Sequence, residues 1–281
     1  MRALAEFILR GRLQAAVVAL IGNWIPLLTP AAVALVTLRA GANNGLLILL
    51  WGLLPALLLL GISQIAPAMA LMVMGGTALT FMAALLLRRG SGWPTCLMAL
   101  VALASLFSLL LAVALPESVQ AVQGWFEQAW SEMRGPEGDV PAIGITFAVG
   151  VVACSMAFPS ALGLILGRWW QSLVVNPGGF GAEFRALKLH PAQAAVCMAA
   201  AMYCLFQNLD YTLWFWLFAL PLLFQGVAVV HGLAAIRGWG TQWLVLFYGA
   251  LFLLGLVAHL LVLFAFLDTW LNFRERAKPR A

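Results

Sequence analysis

The chain has 281 residues, of which 64% are hydrophobic and only 9% are charged. Soluble globular domains carry about 25% charged residues, so this chain has too few charges to cover a surface that faces water. The composition excludes a soluble globule, a secreted disulfide domain and a nucleic-acid-binding domain. Its apolar runs are uninterrupted, whereas a barrel alternates polar and apolar residues. The sequence therefore predicts an all-α polytopic membrane bundle.

A membrane-spanning helix needs about 20 apolar residues, and seven stretches without Asp, Glu, Lys or Arg are candidates, some of them short. They are residues 45–60, 65–87, 94–115, 141–167, 191–206, 211–230 and 243–267. With the opening stretch, residues 13–38, they predict eight or nine membrane segments. We expect these segments to form a single integral membrane domain over residues 1–281.

The opening stretch, residues 13–38, contains Pro26 and Pro30, and a proline inside a helix removes a hydrogen bond. It is therefore either one kinked span or two shorter helices that meet near residues 22–30. Segment 116–140 is acidic, which places it outside because lysine and arginine collect in cytoplasmic loops. When the membrane crossings are counted back from segment 116–140, the basic N-terminus lies inside only if the opening stretch is a hairpin. We therefore favour the hairpin.

The same counting gives no consistent side for the basic tail, residues 268–281. If every late segment crosses, the tail lies outside, against the rule that positive charge stays inside. Either segment 191–206 does not cross fully, or the tail is an exception. The side of the tail is left open at this point.

Segment 116–140 also predicts one amphipathic helix on the periplasmic surface. Pro116 suits the first turn of a helix, and Glu117 suits its positive end. Apolar residues then recur at helical spacing: Val119, Val122, Trp125, Phe126, Ala129, Trp130 and Met133. Such a helix lies on the membrane surface or caps the bundle, and the alternative is a lid that moves over a site.

Six polar side chains are candidates for binding a ligand. They are Arg39, Asn43, Asn44, Gln225, His231 and His259. The first three lie in a glycine-flanked connection, where asparagine and glycine also suit a tight turn. His259 is the one ionisable candidate deep in a membrane segment, a position where such groups usually have a function. The alternative for each candidate is a hydrogen bond that only packs one helix against another.

A second group of side chains is predicted to dock a partner. It comprises Asn176, Phe180, Glu183, Phe184 and Arg185 in a cytoplasmic loop over residues 168–190, and Asp268 and Arg274 near the tail. Glycines in the NPGGF run permit close backbone approach, and two phenylalanines are apolar anchors in a polar loop. The loop is thus either a docking or gating element or a plain connection. Asp268 and Asn272 are four residues apart on one helix face, and together with Arg274 they indicate an anchoring cluster at a helix end.

Several of these motifs resemble the proteobacterial branch of the YybS-like predicted membrane proteins, a domain of unknown function. The resemblance covers the runs GRWWQ, NPGGF and EF between residues 167 and 184, the QG…HG stretch from residue 225, the run LDTWLNFR from residue 267, and LRAG at residues 38–41. That family is remotely similar to the substrate-binding components of energy-coupling-factor transporters, which have a short early hairpin. The resemblance implies a small-molecule pocket and a separate ATPase partner. This chain departs from those components in its extra segments and its outer helix.

Two functions remain open. The chain lacks nucleotide-binding and hydrolase motifs, so we expect no enzyme activity, no cofactor and no metal. One function is a transporter-like subunit that binds or passes a small molecule without its own ATPase. The other is a non-transporting assembly or scaffold protein of the cell envelope. An intramembrane enzyme is a third alternative, and it would need His231, His259 or Asp268 to converge. Expected partners are the lipid bilayer of a bacterial inner membrane, another membrane protein or a separate ATPase module, and not nucleic acid.

Overall fold

The structure is a computed structural model that describes residues 1–62, 67–134 and 143–278, and this part of the chain contains helices and turns but no strand. The helices are α1 (Arg2–Leu9), α2 (Arg12–Ile21), α3 (Leu28–Ala40), α4 (Ala42–Ile62), α5 (Pro67–Arg88), α6 (Gly92–Ala114), α7 (Pro116–Arg134), α8 (Ile145–Val175), α9 (Gly179–Arg185), α10 (Pro191–Leu205), α11 (Thr212–Ile236), α12 (Thr241–Leu253), α13 (Gly255–Leu271) and α14 (Phe273–Arg276). The predicted all-α class is confirmed.

Five helices are long and apolar enough to cross a membrane, namely α4, α5, α6, α8 and α11. The bent pair α12 and α13 provides a sixth only if it counts as one span. The predicted eight or nine segments are therefore not confirmed. The difference arises because α2, α3, α10, α12 and α13 have between 10 and 17 residues each, which is too short to cross the hydrocarbon core unaided.

The predicted break in the opening stretch is present, and we call the pair α2 and α3 the N-terminal hairpin. A turn at residues 22–27 joins the two helices, and Leu27 adopts a positive φ of 67° there. The Thr29 hydroxyl donates to the Ala19 carbonyl at 2.8 Å, which ties the tip together. At the other end, Arg12 Nε donates to Asn44 Oδ1 at 2.8 Å. Both ends of the hairpin therefore lie at the same end of the bundle.

Helix α3 lies in the core because glycines of α8 let it approach closely. All but one of its residues from 29 to 38 are buried. A methyl group on Gly167 would lie 2.6 Å from Ala34 Cβ and 2.8 Å from the Ala31 carbonyl oxygen. A methyl group on Gly163 would lie against Pro30 in the same way. These small residues pack two backbones together within the chain, as stripes of small residues do in membranes.

One end of the bundle, which we call the basic pole, carries most of the basic side chains. It comprises α1, the start of α2, the ends of α3, α5, α8 and α11, the start of α6, and α9 and α14. Hydrogen bonds connect these ends. Arg88 Nη1 donates to the Leu38 carbonyl at 2.7 Å, and Trp93 Nε1 donates to Glu183 Oε1 at 2.7 Å. The four ion pairs among the described residues also lie here, so acidic groups at this pole are neutralised locally.

The opposite end, the acidic pole, joins α7 to the starts of α8 and α11. Asp210 Oδ1 accepts a hydrogen bond from the Gly144 amide at 2.7 Å. A helix, α7, is present where the amphipathic helix is predicted and carries three glutamates, and its position on the periplasmic surface stays a prediction. Its apolar stripe packs only in part, because Val119 and Val122 are buried whereas Trp125 is 61% exposed. The remainder of the predicted segment, residues 135–140, lies outside the described residues.

The C-terminal hairpin, α12 and α13, is bent by 113° where the two helices meet at Leu254. Helix α12 begins shortly after Arg237 at the end of α11. Helix α13 leads back to the basic pole, where Arg274 Nη1 donates to the Arg185 carbonyl at 2.5 Å. The tail up to residue 278 therefore lies beside Arg185 and Lys188. The bend divides residues 243–267 into two helices of 13 and 17 residues.

Candidate functional site

The site is built around a buried connection between α9 and α10, residues 186–190, which we call the strap. Leu187 and Leu189 of the strap are buried. Gln225 of α11, also buried, accepts from the Leu189 amide at 2.8 Å and donates to the Ala265 carbonyl at 2.8 Å. Its second amide hydrogen points to the Thr269 hydroxyl at 3.1 Å. The side chain therefore joins α11, α13 and the strap, and all its polar atoms have protein partners.

The strap is also held from the C-terminal side. Arg274 Nη2 forms a 3.0 Å ion pair with Asp268 Oδ2, and the Asp268 side chain is fully buried. The other carboxylate oxygen accepts from the Phe273 amide at 2.8 Å. Arg274 Nη1 donates to the carbonyls of Arg185 and Leu187. The predicted anchoring cluster is thus present, with Arg274 rather than Asn272 as the partner of Asp268.

An apolar cavity of about 400 Å³ lies between α8, α9, α11 and α12. Its walls include Phe158, Leu162, Phe180, Phe184, Leu223 and Leu251. Polar groups reach it at few points. His231 Nε2 and Tyr248 OH lie 2.8 Å apart and share a hydrogen bond, and Arg185 lies at one margin. A mostly apolar cavity with a few polar groups is typical of small-molecule sites.

Helix α9 is held against the cavity by aromatic contacts and one ion pair. The rings of Phe184 and His231 meet edge to face with centroids 6.0 Å apart, and Phe180 meets Trp93 at 6.1 Å. Glu183 pairs with Arg168 Nη2 at 2.5 Å. The glycines of the NPGGF run allow this return of the chain, because Gly178 adopts a φ of +86°. The segment predicted as a loop over residues 168–190 is therefore largely helical, since α8 continues to residue 175 and α9 follows.

A second cavity of about 530 Å³ lies at the basic pole between α9, α11, α14 and the strap. Its charged lining residues are Arg185, Lys188, Arg274, Glu275 and Lys278. Lys188 Nζ donates to Asn272 Oδ1. The hydrogen bond from Lys278 and the positive charge of that residue lower the pKa of the Glu275 carboxyl below its ordinary value. Because Arg185 lines both cavities, the two adjoin at this residue.

The structure brings together residues that the sequence analysis kept in separate groups. His231, a ligand-binding candidate, lines the apolar cavity with Phe180, Phe184 and Arg185, which were candidates for docking a partner. Arg185 and Arg274 meet again at the basic cavity. Glu183 supports α9 from outside the cavity, and Asn176 is exposed. The docking and ligand candidates of this region therefore form one site.

The other ligand-binding candidates lie elsewhere. Arg39 and Asn43 are exposed at the basic pole, away from both cavities. Asn44 is occupied by Arg12. His259 lies on an exposed face of α13, where its ring stacks on Phe215 with centroids 5.2 Å apart. Within the described ranges, no three His, Cys, Asp or Glu side chains are grouped closely enough to hold a metal ion.

Sequence reasoning missed Tyr248 and Lys188. Tyr248 lies in an apolar run where no motif marks it, and only the fold of α12 beside α11 brings it to His231. Lys188 is not among the candidate residues of either group. A usable signal was present in the short distance along the chain between Arg185 and Lys188, since two cations close to an aromatic pair are candidates for binding an anionic amphiphile.

No family model matches the chain, and no curated protein and no solved structure is significantly similar to it.

Proposed function

We propose that this chain is a membrane-embedded binding subunit that holds a small, largely apolar molecule in the apolar cavity. The observation that carries the proposal is the cavity itself, which is walled by aromatic and aliphatic side chains and reached by the His231–Tyr248 pair. Such pockets bind ligands through apolar burial, and a few polar groups fix the orientation. In this proposal a separate ATPase partner supplies the energy for passing the molecule on.

The packing of α12 supports a role in admitting the ligand. Helix α12 supplies Tyr248 and Leu251 to the cavity wall, yet none of its residues is buried. Elements that open for ligands are drawn from the weakly packed parts of proteins. We therefore assign α12 as the wall that moves, with the hydrogen bond between His231 and Tyr248 holding it closed.

A photoreactive fatty alcohol tests the proposal. The purified protein in lipid nanodiscs is irradiated with a diazirine-bearing dodecanol, and labelled peptides are mapped by mass spectrometry. We expect labelling on peptides of α8, α11 and α12. Leu251→Trp should fill the cavity and lower this labelling at least about tenfold, because tenfold corresponds to about 1.4 kcal/mol and loss of the apolar site exceeds this value.

The matched control is Leu253→Trp, two residues further along the same helix. Leu253 is 77% exposed and does not line the cavity, so this variant should label like the parent chain. Labelling that is equal in both variants, or that is spread evenly over α4 and α5, would contradict the proposed site.

We also propose that the basic pole faces the cytoplasm, because basic residues are retained on that side of membranes. A cysteine in place of Gln128, exposed on α7 at the acidic pole, should react with an impermeant thiol reagent in sealed right-side-out vesicles. A cysteine in place of Arg89, exposed at the basic pole, should react only after permeabilisation. The reverse pattern would invert the topology.

The tip of the C-terminal hairpin favours the second candidate function, a membrane assembly protein. Phe252, Leu253 and Leu254 at the bend are exposed, Phe252 by 90%. Carbonyls at a helix end lack helical partners, and such groups are not left facing lipid. A photo-crosslinking amino acid at position 252 should capture one defined protein in membranes if this function holds. Adducts to lipid alone would leave the binding subunit as the better proposal.

A further inference from the structure

We infer that the ligand is an anionic amphiphile whose chain lies in the apolar cavity and whose phosphate-bearing head lies in the basic cavity. The inference rests on the proposed function and adds the chemical class of the ligand. The two cavities adjoin at Arg185. One lining is aromatic and aliphatic, and the other carries four cations and one carboxylate. That combination matches a molecule with an apolar chain and an anionic head.

Two of the four cations in the basic cavity form no ion pair with any described residue. Arg274 is neutralised by the buried Asp268, and Lys278 by Glu275. Lys188 is bonded to the neutral side chain of Asn272. Within the described part of the chain, the Arg185 guanidinium makes no hydrogen bond or ion pair. The cavity therefore has two uncompensated positive charges, and an anion would complete it.

Partial burial of the two cations that form no ion pair strengthens their attraction for an anion. Arg185 and Lys188 are both half-buried, so water screens their charges less than it screens a fully exposed side chain. A guanidinium presents a planar fork that matches phosphate oxygens, and an ammonium adds a point charge. Together they suit a phosphate head better than a single carboxylate.

Arg274 has a positioning role. Its two terminal nitrogens are occupied by Asp268 and by the carbonyls of Arg185 and Leu187. These bonds fix the backbone that carries Arg185. Because Phe184 is the neighbour of Arg185 on α9, the same short helix presents an aromatic wall to the chain and a cation to the head.

The position of the basic cavity at one end of the bundle agrees with a lipid-like ligand. The basic cavity lies at the pole where the ends of α5, α8 and α11 and the tail collect basic residues. Basic pockets between membrane helices on the cytoplasmic side bind anionic head groups. A free phosphate compound offers the same head chemistry without the chain, so the test separates the two sources.

The experiment compares three probes on the full chain in nanodiscs of neutral lipid: dodecyl phosphate, dodecanol and inorganic phosphate. Each competes against the photoreactive dodecanol. We expect dodecyl phosphate to compete at least about tenfold better than dodecanol, because tenfold corresponds to about 1.4 kcal/mol and a hydrogen bond between charged groups contributes at least this much. Inorganic phosphate should not compete, and high salt should weaken dodecyl phosphate but not dodecanol.

Substitutions of the two cations test whether the phosphate-bearing head of the ligand binds in the basic cavity. Arg185→Gln and Lys188→Gln should each reduce the preference for dodecyl phosphate and leave dodecanol binding unchanged. The matched control is Arg89→Gln, an exposed arginine at the same pole that lines neither cavity, and it should retain the full preference. The salt dependence of the unmodified chain provides the same test if the Arg185 variant does not fold.

The outcomes are distinguishable. Equal competition by dodecyl phosphate and dodecanol overturns the anionic head and leaves the proposed apolar site intact. Competition by inorganic phosphate as strong as by dodecyl phosphate overturns the amphiphile in favour of a soluble phosphate compound. Failure of dodecanol and dodecyl phosphate to compete at all removes the proposed function together with this inference.

Discussion

The molecule contains two helical hairpins that leave the basic pole and return to it, and they differ in how they are packed. In the N-terminal hairpin, α3 is buried almost throughout against α8. In the C-terminal hairpin, no residue of α12 is buried. The first hairpin forms part of the core, whereas the second is attached mainly through α13 and the strap.

The difference follows from the side chains at the contact. Gly163 and Gly167 remove the bulk that would separate α3 from α8. Helix α12 meets its neighbours with large aromatic and aliphatic residues and has no such close contact. Close packing distributes stability over many contacts.

Helix α13 also packs closely, since a methyl group on Gly226 of α11 would lie 2.8 Å from the Leu261 carbonyl oxygen, and polar contacts centred on Gln225 and Asp268 add to this packing. The attachment of the C-terminal hairpin should therefore be sensitive to changes at α13 and its polar contacts and insensitive to changes in α12.

The largest effect is expected for Asp268→Ala. It leaves the cation of Arg274 unpaired in a site where the carboxylate is fully buried, and breaking a buried pair costs about 3–5 kcal/mol. We expect a lower unfolding midpoint and faster trypsin cleavage at Arg237, because the C-terminal hairpin loosens. Glu6→Ala breaks an exposed pair and should cost less than about 1 kcal/mol. Equal effects of the two variants would remove the anchoring role of Asp268.

An effect of intermediate size on the free energy of unfolding is expected from two glycine substitutions, which compare the packing of the two hairpins. Gly167→Ala places a methyl group against α3 and should cost about 1–3 kcal/mol, as overpacking does. Gly249→Ala in α12 meets nothing within 4 Å and should be neutral or stabilise by less than about 1 kcal/mol. Thermal unfolding in one detergent measures both. A destabilised Gly249→Ala chain would show that α12 is packed as closely as α3.

Gln225→Leu should have a smaller effect, about 1–2 kcal/mol, since cross-helix hydrogen bonds in membranes contribute modestly. It leaves the Leu189 amide without its acceptor, so hydrogen exchange of the strap should accelerate. Ser105→Ala, which deletes only a bond to the Val101 carbonyl one turn earlier, is the control. Unchanged exchange at residue 189 would mean that the strap is held without Gln225.

The smallest effect is expected at Glu275, which is fully exposed. Its pKa is lowered by Lys278, so the charged form is favoured in the folded chain. That contribution is present at neutral pH and is lost as the pH falls through the pKa of the folded state. The unfolding midpoints of Glu275→Gln and the parent chain should differ little at neutral pH and converge in acid and in high salt. A difference that persists in high salt would contradict a screened surface pair.

The sequence predicts the long apolar helices well, because α5, α6 and α11 follow uncharged runs of membrane length. It also predicts a break near residues 22–30, and the structure has a turn at residues 22–27, which contains Pro26. It does not predict the bend at Leu254, since that residue lies in an apolar run like any other. The resulting return of the tail to the basic pole was therefore left open.

The candidate site is predicted in pieces. The sequence marks His231 and Phe184 for separate reasons, and only the fold of α9 onto α11 places them together. Spacing along one helix cannot show such a contact between segments. Asp268 and Asn272 illustrate the same limit. Helix α13 ends at Leu271 and Asn272 turns to a φ of 51°, so Asn272 meets Lys188 and Asp268 meets Arg274.

The return of both hairpins to one pole has a consequence for biogenesis. In the proposed orientation, the connections at the acidic pole are short except for residues 115–144. The insertion machinery therefore has to translocate one long polar segment, and residues 115–144 contain a single arginine. Adding lysines to α7 should consequently impair membrane integration more than adding the same number to the tail.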